Sequence, residues 1–389
     1  MSENNMKRLG DYIRPVDVRN RDLKVERLLG ISVTKEFIPS IANTIGTDMS
    51  SYKIVYPNQF VYIADTSRRG DKIAIAYLKE NEEPALVSAI YTVFEVVDTN
   101  ALDPEYLMMW FRRPKFDRYA RFHSHGSARE VFDWEEMCEV QVPVPAIEKQ
   151  REIVAEYNTL ATRIETNKKL IATLEQTAQT LYRHTFIDNI DPNNLPEGWR
   201  MGTIGEYSTV KSGFAFKSDW WQTTGIPVIK IGNINDNTID YSTCDCVDES
   251  HVDIAKKSIA NEYSIVIAMT GATLGKIALV PQYSKVVLVN QRVGLFDLGT
   301  NPTEKAPFLY YLLQQDFVQD EILSVGGDSA QANVSNSDIE RIKVPYPPEE
   351  IMNEFNGQCR CILEGVSCYK QENQTLTQMQ TLLLSKMGV

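Results

Sequence analysis

No stretch of this 389-residue chain stays apolar for the ~18 residues that a membrane-spanning helix requires. Its opening, MSENNMKRLGDY, lacks the apolar segment of a secretory signal, so a cytoplasmic protein is expected. Histidine is scarce, at four residues, which leaves little for an imidazole metal site. None of the six cysteines falls in a C-x-x-C pair. Cys244/Cys246 and Cys359/Cys361 are C-x-C pairs, a spacing that fits zinc ligation poorly, and reduced thiols are the better reading. Positive charge is in deficit as well: 52 acidic against 40 basic side chains, a net charge of −12 and a pI near 5.0. That balance argues against a generic binder of nucleic acid or anionic membrane, although it says nothing of where the charges sit.

Signatures of catalysis are missing too. There is no G-x-G-x-x-G, G-x-S-x-G or H-E-x-x-H, and neither N-P-P-Y nor D-P-P-Y. Gly271-Ala-Thr-Leu-Gly275-Lys276 is one residue short of a phosphate loop, and Ile277 stands where Ser or Thr would hold Mg²⁺. It reads as a turn into a strand. No catalytic residue and no metal site is expected. With 43% hydrophobic and 24% charged residues the chain is nonetheless an ordinary globular protein, long enough for two or three domains.

What the sequence does contain is itself, twice. Val142-Pro-Val-Pro145 recurs as Val344-Pro-Tyr-Pro347, an offset of 202 residues. At the same offset Glu148, Lys168, Leu174 and Leu181 fall on Glu350, Lys370, Leu376 and Leu383. Upstream, Tyr106-Leu107 falls on Phe308-Leu309 and Ser127-Ala128 on Ser329-Ala330, while Lys72-Ile-Ala74 matches Lys276-Ile-Ala278 after a two-residue slip. Each unit is too long for a solenoid repeat and reads as a domain with a tail.

Both tails read as long helices. From Ile153 the track Tyr157, Leu160, Ile164, Asn167, Ile171, Leu174, Ala178 and Leu181 keeps heptad spacing. Phe355, Cys359, Ile362, Val366, Tyr369, Asn373, Leu376, Gln380 and Leu383 repeat it with a more polar seam. Two such stripes are best buried on one another, antiparallel, as a ruler between two equivalent domains, the plainer alternative being that they only join the two. Ahead of the tails the pattern is mixed α/β. Strands are expected at Phe60–Ile63, Lys72–Ala76, Tyr91–Val97, Val228–Ile231, Ser264–Ile267, Lys276–Val280 and Val286–Val289. Helices are expected at Pro104–Tyr119 and Pro307–Leu323.

The remaining chemistry is that of binding. Arg112, Arg113, Lys115, Arg118 and Arg121 crowd a stretch whose one acid is Asp117, with Phe111, Phe116, Tyr119 and Phe122 interleaved. His123, His125, Ser127 and Arg129 follow, and Ser67, Arg68 and Arg69 form a second basic cluster. Arginine and lysine suit phosphate and guanine. A solvated helix face with its aromatic residues turned inward is the plainer alternative. The second copy offers Lys211, Ser212, Lys217, Ser218, Lys230, Asn233, Thr273, Lys276, Gln291, Arg292, Ser329, Gln331 and Asn333. Amides read adenine edges and the cations hold phosphate, although loops are built of the same residues.

Leu195-Pro-Glu-Gly-Trp199 with Ile204-Gly205-Glu206, Ser212-Gly213-Phe214-Ala215-Phe216, Ile226-Pro-Val-Ile-Lys230, Ile231-Gly-Asn-Ile234 and the run Gly326–Gln331 come in an order that resembles the specificity subunit of type I restriction–modification enzymes. The V-P-x-P signature before each long helix belongs to the same likeness. The first domain opens with Leu9-Gly-Asp-Tyr12 and lacks the Leu-Pro-x-Gly-Trp element, so it resembles a different recognition-domain type.

The resemblance implies an α/β protein, two similar mixed α/β target recognition domains separated by two long antiparallel coiled-coil helices with pseudo-two-fold repetition. Residues 1–145 would form the first recognition domain, 146–190 the central helix, 191–348 the second domain and 349–389 the C-terminal helix. It implies a non-catalytic subunit that reads a bipartite target in double-stranded DNA, one half per domain, with the helices setting the spacer. Tyr157, Leu160, Ile164, Leu174, Leu181, Phe355, Ile362, Tyr369, Leu376 and Leu383 would dock two modification (methyltransferase) subunits. Restriction subunits with translocase and nuclease activity would join them. No cofactor of its own is implied; S-adenosylmethionine, ATP and Mg would sit on partner subunits. An adaptor scaffold of two homologous domains on a coiled-coil arm, with no role at DNA, is the competing reading.

Overall fold

The computed structural model describes residues 6–40, 46–65, 72–126, 130–188, 190–235, 237–283, 285–327 and 332–387. The chain divides into two units, residues 1–162 with 377–389, and residues 163–376.

In the first unit, strands Ile13–Val16, Thr92–Val96, Gln59–Tyr62 and Ile75–Tyr77 form an antiparallel sheet in that spatial order. Alternation along Gln59–Tyr62 decides what each face covers. Phe60 and Tyr62 pack with Phe94 toward the helices, and Val61 packs on the other side with Ala74, Ala76 and Val93. The helices are α1 (Pro104–Phe111), α2 (Pro114–Phe122) and α3 (Trp134–Glu139). Asp103 caps α1, accepting from the Tyr106 N–H at 3.0 Å, with Pro104 at the first helical position. The single helix expected over Pro104–Tyr119 is therefore two. Pro114 has no N–H to continue α1 and holds Arg113 extended (φ −73°, ψ 135°).

In the second unit, α4 (Ile147–Phe186), which also runs through the first, is followed by the pair Arg200–Thr203 and Lys343–Tyr346 and by α5 (Ile204–Tyr207). The sheet Val210–Ser212, Val293–Phe296, Ile265–Ala268 and Ile277–Leu279 has the strand order of the first unit's sheet. Helices α6 (Ala306–Leu312), α7 (Asp316–Gly326) and α8 (Asn336–Glu340) take the places of α1, α2 and α3 along the repeat. Here too one expected helix, Pro307–Leu323, is two. Glutamine amides end α6: Gln315 donates to the Tyr311 carbonyl at 2.8 Å and Gln319 to that of Leu313 at 2.5 Å. The sheets place the slip differently: Tyr62 pairs with Ile75 as Ile267 pairs with Ile277, so Ile75–Tyr77 corresponds to Ile277–Leu279 at the offset of 202, while the strand before it is offset by 205 (267 − 62).

The last helix, α9 (Glu349–Lys386), has 38 residues against 40 in α4, and the division between the units falls inside both. Within the first unit Ile153 and Tyr157 share a core with Leu383, Leu384 and Met387. Within the second, Arg163 donates to Glu372 at 2.8 Å and the Asn167 amide to Glu372 and Asn373, while the Tyr182 and Phe355 rings lie 5.6 Å apart. The buried stripe departs from the heptads at two places. Tyr182 and Phe186 are buried where Leu181 is exposed, and Leu363 is more deeply buried than Ile362. A straight helix of 3.6 residues per turn drifts away from a 3.5-residue repeat. Among the described residues no helix is long and apolar enough to cross a membrane.

Candidate nucleic-acid interface

The second unit gathers its polar residues in a cleft of about 660 Å³. Ser212 comes from the end of the strand Val210–Ser212, Gln291 and Arg292 from the turn into Val293–Phe296, and Asn333 from the approach to α8. Ser335, Asn336, Ser337 and Glu340 of α8 and its cap complete the wall. Sequence reasoning missed these last four. Their one local signal was the capping box, in which the Asp338 carboxylate accepts from the Ser335 N–H at 2.9 Å and hydroxyl at 2.6 Å. Ser212 donates to the Asn336 side chain at 3.0 Å, and Glu340 accepts from the Val210 N–H at 2.7 Å, tying both walls together. The glycine after Ser212 has a steric cause: a Cβ at Gly213 would lie 2.2 Å from the Val289 carbonyl oxygen and 2.3 Å from that of Asn290. Gln291, Arg292 and Asn333 are exposed, so donors, acceptors and one guanidinium face a common space.

Other candidates in this unit lie elsewhere. Asn233 is buried, and its amide is consumed by the Lys230 N–H, the Thr243 carbonyl and the Thr243 hydroxyl, so it holds a loop and reads nothing outside. Lys230 pairs with Asp245 at 2.6 Å over the Trp221 ring, and Lys217 stands over Trp220. Lys211 pairs with Asp297, in a second cleft with Lys256 and Lys257. Ser218 and Lys276 are exposed, and the Thr273 hydroxyl is buried. Ser329 and Gln331 lie outside the described residues.

In the first unit the basic stretch separates by side. Arg113 is a correction: it is 4% exposed, with its guanidinium 3.8 Å from the centre of the Trp110 ring, because the break before Pro114 turns it inward. Burial lowers its pKa from the usual arginine value. Arg112 stands over the Tyr157 ring at 5.7 Å, and Arg121 pairs with Glu130. Lys115 and Arg118 are exposed. Asp117 is an anchor and does not dilute the charge at the surface. Its carboxylate accepts from the buried Lys35 ammonium at 2.6 Å and the Ile73 N–H at 3.2 Å, fixing α2 to the sheet. His123 and His125 converge on the two oxygens of Glu136, at 3.3 and 3.2 Å. The interleaved aromatic residues do not all turn inward: Phe111 and Phe116 are buried, whereas Phe122 is 81% exposed. A phenyl left in water forgoes about 1.5–3 kcal/mol of burial. Ser67, Arg68, Arg69, Ser127 and Arg129 lie outside the described residues.

Nor do all the docking candidates face outward. Tyr157 and Phe355 are buried in the cores of their own units; Leu160, Ile164, Leu174, Ile362, Tyr369, Leu376 and Leu383 are half-buried. Among the described residues the large hydrophobic side chains exposed on the long helices are Leu170, Leu181, Met379 and Leu382. Cys244 and Cys246 are buried, with the Cys244 thiol pushed up to about 12 by burial, and no cluster of metal-ligating side chains occurs among the described residues.

The family described as Type I restriction modification DNA specificity domain matches residues 11–176 and 196–374, one match per repeat. The MjaIX specificity subunit of Methanocaldococcus jannaschii is 24% identical over 309 residues, 75% of this chain and 70% of the relative. The HindI specificity subunit of Haemophilus influenzae is 21% identical over 378 residues, 77% of this chain and 80% of that one. The crystal structure of a type I restriction–modification S subunit from M. genitalium superposes with a TM-score of 0.64 at 16% identity, covering 100% of this chain and 97% of that one.

Proposed function

Because the chain belongs to the family of type I restriction–modification DNA specificity domains, we propose that it reads a bipartite DNA target, one half with each unit. The observation that carries this is the repeat. Two sheets of one strand order are each followed by the same helices, yet the side chains they present differ, as two unlike half-sites require. In the second unit the Ser212–Gln291–Arg292–Asn333 cleft supplies amides for base edges and a guanidinium for guanine or phosphate. In the first, the outer face of α2 supplies cations.

The two long helices form an antiparallel pair that sets the non-specific spacer. Partner numbers fall along α9 as they rise along α4, from Arg163 with Glu372 to Tyr182 with Phe355. At 1.5 Å per residue a 40-residue helix is about 60 Å long. Exposed apolar side chains of the long helices, Met379 and Leu382 in the first unit and Leu170 and Leu181 in the second, serve to dock modification subunits. The chain itself is non-catalytic and works in the cytoplasm. Partner subunits bring S-adenosylmethionine, ATP and Mg, and with them base modification and cleavage. The family match displaces the adaptor-scaffold reading.

Methylome sequencing of the host, with and without this gene, tests the proposal. Loss of one methylated motif made of two short specified halves and a fixed unspecified gap is the expected result. An unchanged methylome, in a host that expresses the modification partner, would overturn it.

A further inference from the structure

Helix α2 carries Lys115, Arg118 and Phe122 at steps of three and four residues, which sets them in one stripe along its outer face. Phe116 and Ala120 on the opposite face are buried. Lys115 and Arg118 make no ion pair among the described residues. Phe122 is 81% exposed at the end of the row, yet it does not hang loose. The His123 ring stacks on Tyr119 at 4.2 Å, its Nδ1 lies 3.3 Å from a Glu136 oxygen, and the phenyl meets that imidazole edge-on at 5.2 Å. An apolar ring with a fixed seat, in line with two uncommitted cations, is built to meet something that is anionic along its length and apolar at one point.

A DNA major groove has that character. It admits an α-helix between two rows of phosphates, and the apolar group on its base edges is the C5 methyl of thymine. We propose that Phe122 is a specificity-determining residue that contacts a thymine methyl in the half-site read by the first unit. Lys115 and Arg118 hold the flanking phosphates. The inference rests on the DNA-recognition reading above and names one contact within it. The repeat supplies an internal contrast. At the offset of 202, Lys115, Arg118 and Phe122 fall on Phe317, Asp320 and Ser324 of α7, a face whose acid repels phosphate. The second unit has no such contact, and the effect belongs to one half-site.

The test uses the full chain in complex with its modification subunit, methylating a DNA library randomised in both half-sites. Wild type defines the target. F122A is expected to lose discrimination about fourfold to tenfold at one T·A position in one half-site, roughly what a buried methyl is worth, and to leave the other half-site unchanged. F122L, which keeps an apolar side chain, should fall between. Replacing that thymine by deoxyuridine should cost wild type a similar factor and F122A nothing. K115A and R118A should instead weaken binding to all sequences and flatten its salt dependence. An F122A profile that superimposes on wild type, a change in both half-sites, or equal losses with deoxyuridine in both proteins would each overturn the contact. If the wild-type complex selects no sequence, the recognition reading itself fails, and Phe122 is not the cause.

Discussion

Single residues here separate by which side of a backbone break they fall on. Arg113 and Arg118 are five positions apart in one basic stretch, yet one guanidinium is buried over Trp110 and the other stands in solvent. Arg113→Ala should therefore lower the unfolding midpoint of the first unit and leave the slope of log K against log salt for DNA unchanged. Arg118→Ala should keep the midpoint and reduce the slope by about one. Thermal unfolding and salt-titrated binding distinguish the two, and the opposite assignment would return Arg113 to the interface. Gly213 makes a different demand, since any side chain there meets two carbonyl oxygens. Gly213→Ala should cost roughly 1–3 kcal/mol in denaturant unfolding, by overpacking. Because Gly213 joins Ser212 to the backbone beneath Gln291, the same change should degrade DNA discrimination more than the stability loss alone accounts for.

Elements show why the sequence was legible in some parts and opaque in others. The strands Ile265–Ala268 and Val287–Val289 are fully buried apolar runs and could be read from composition alone. The repeat was visible because both copies keep the proline pair that ends a strand before a long helix. The breaks at Arg113 and after Leu312 were hidden, because a helix-period pattern continues through them while one proline or a few glutamine amides decide the outcome. The cleft was half hidden for another reason. Its walls come from residues 210–212, 269, 291–292 and 333–340, which no local pattern links. Helix α8 depends on its capping box, and hydrogen bonds from the Ser335 hydroxyl and N–H hold the Asp338 carboxyl below the usual aspartate range. A carboxyl lowered by folding contributes stability that is complete above its unfolded value near ~4 and is lost as pH falls through the folded value. Amide exchange over residues 336–340 should therefore rise, relative to the sheet, below about pH 4. Ser335→Ala should raise it already at neutral pH, by about 1 kcal/mol of local opening. Equal protection in variant and wild type would remove the box from the support of the cleft.

At the scale of the whole molecule the charge of −12 governs how DNA is met. A net negative field neither attracts phosphate from a distance nor holds it without sequence. The isolated chain should bind random DNA weakly at physiological salt, and specific affinity should appear only with modification subunits present; a gel-shift titration with and without the partner measures it. Tight, sequence-independent binding by the chain alone would contradict that picture. The sharing of α9 between the units has a further consequence, for the order of events during synthesis. Leu383, Leu384 and Met387 belong to the core that Ile153 and Tyr157 enter, whereas everything the second unit needs lies between residues 163 and 376. The core of the first unit thus receives the Met387 side chain only after every residue of the second unit has been made.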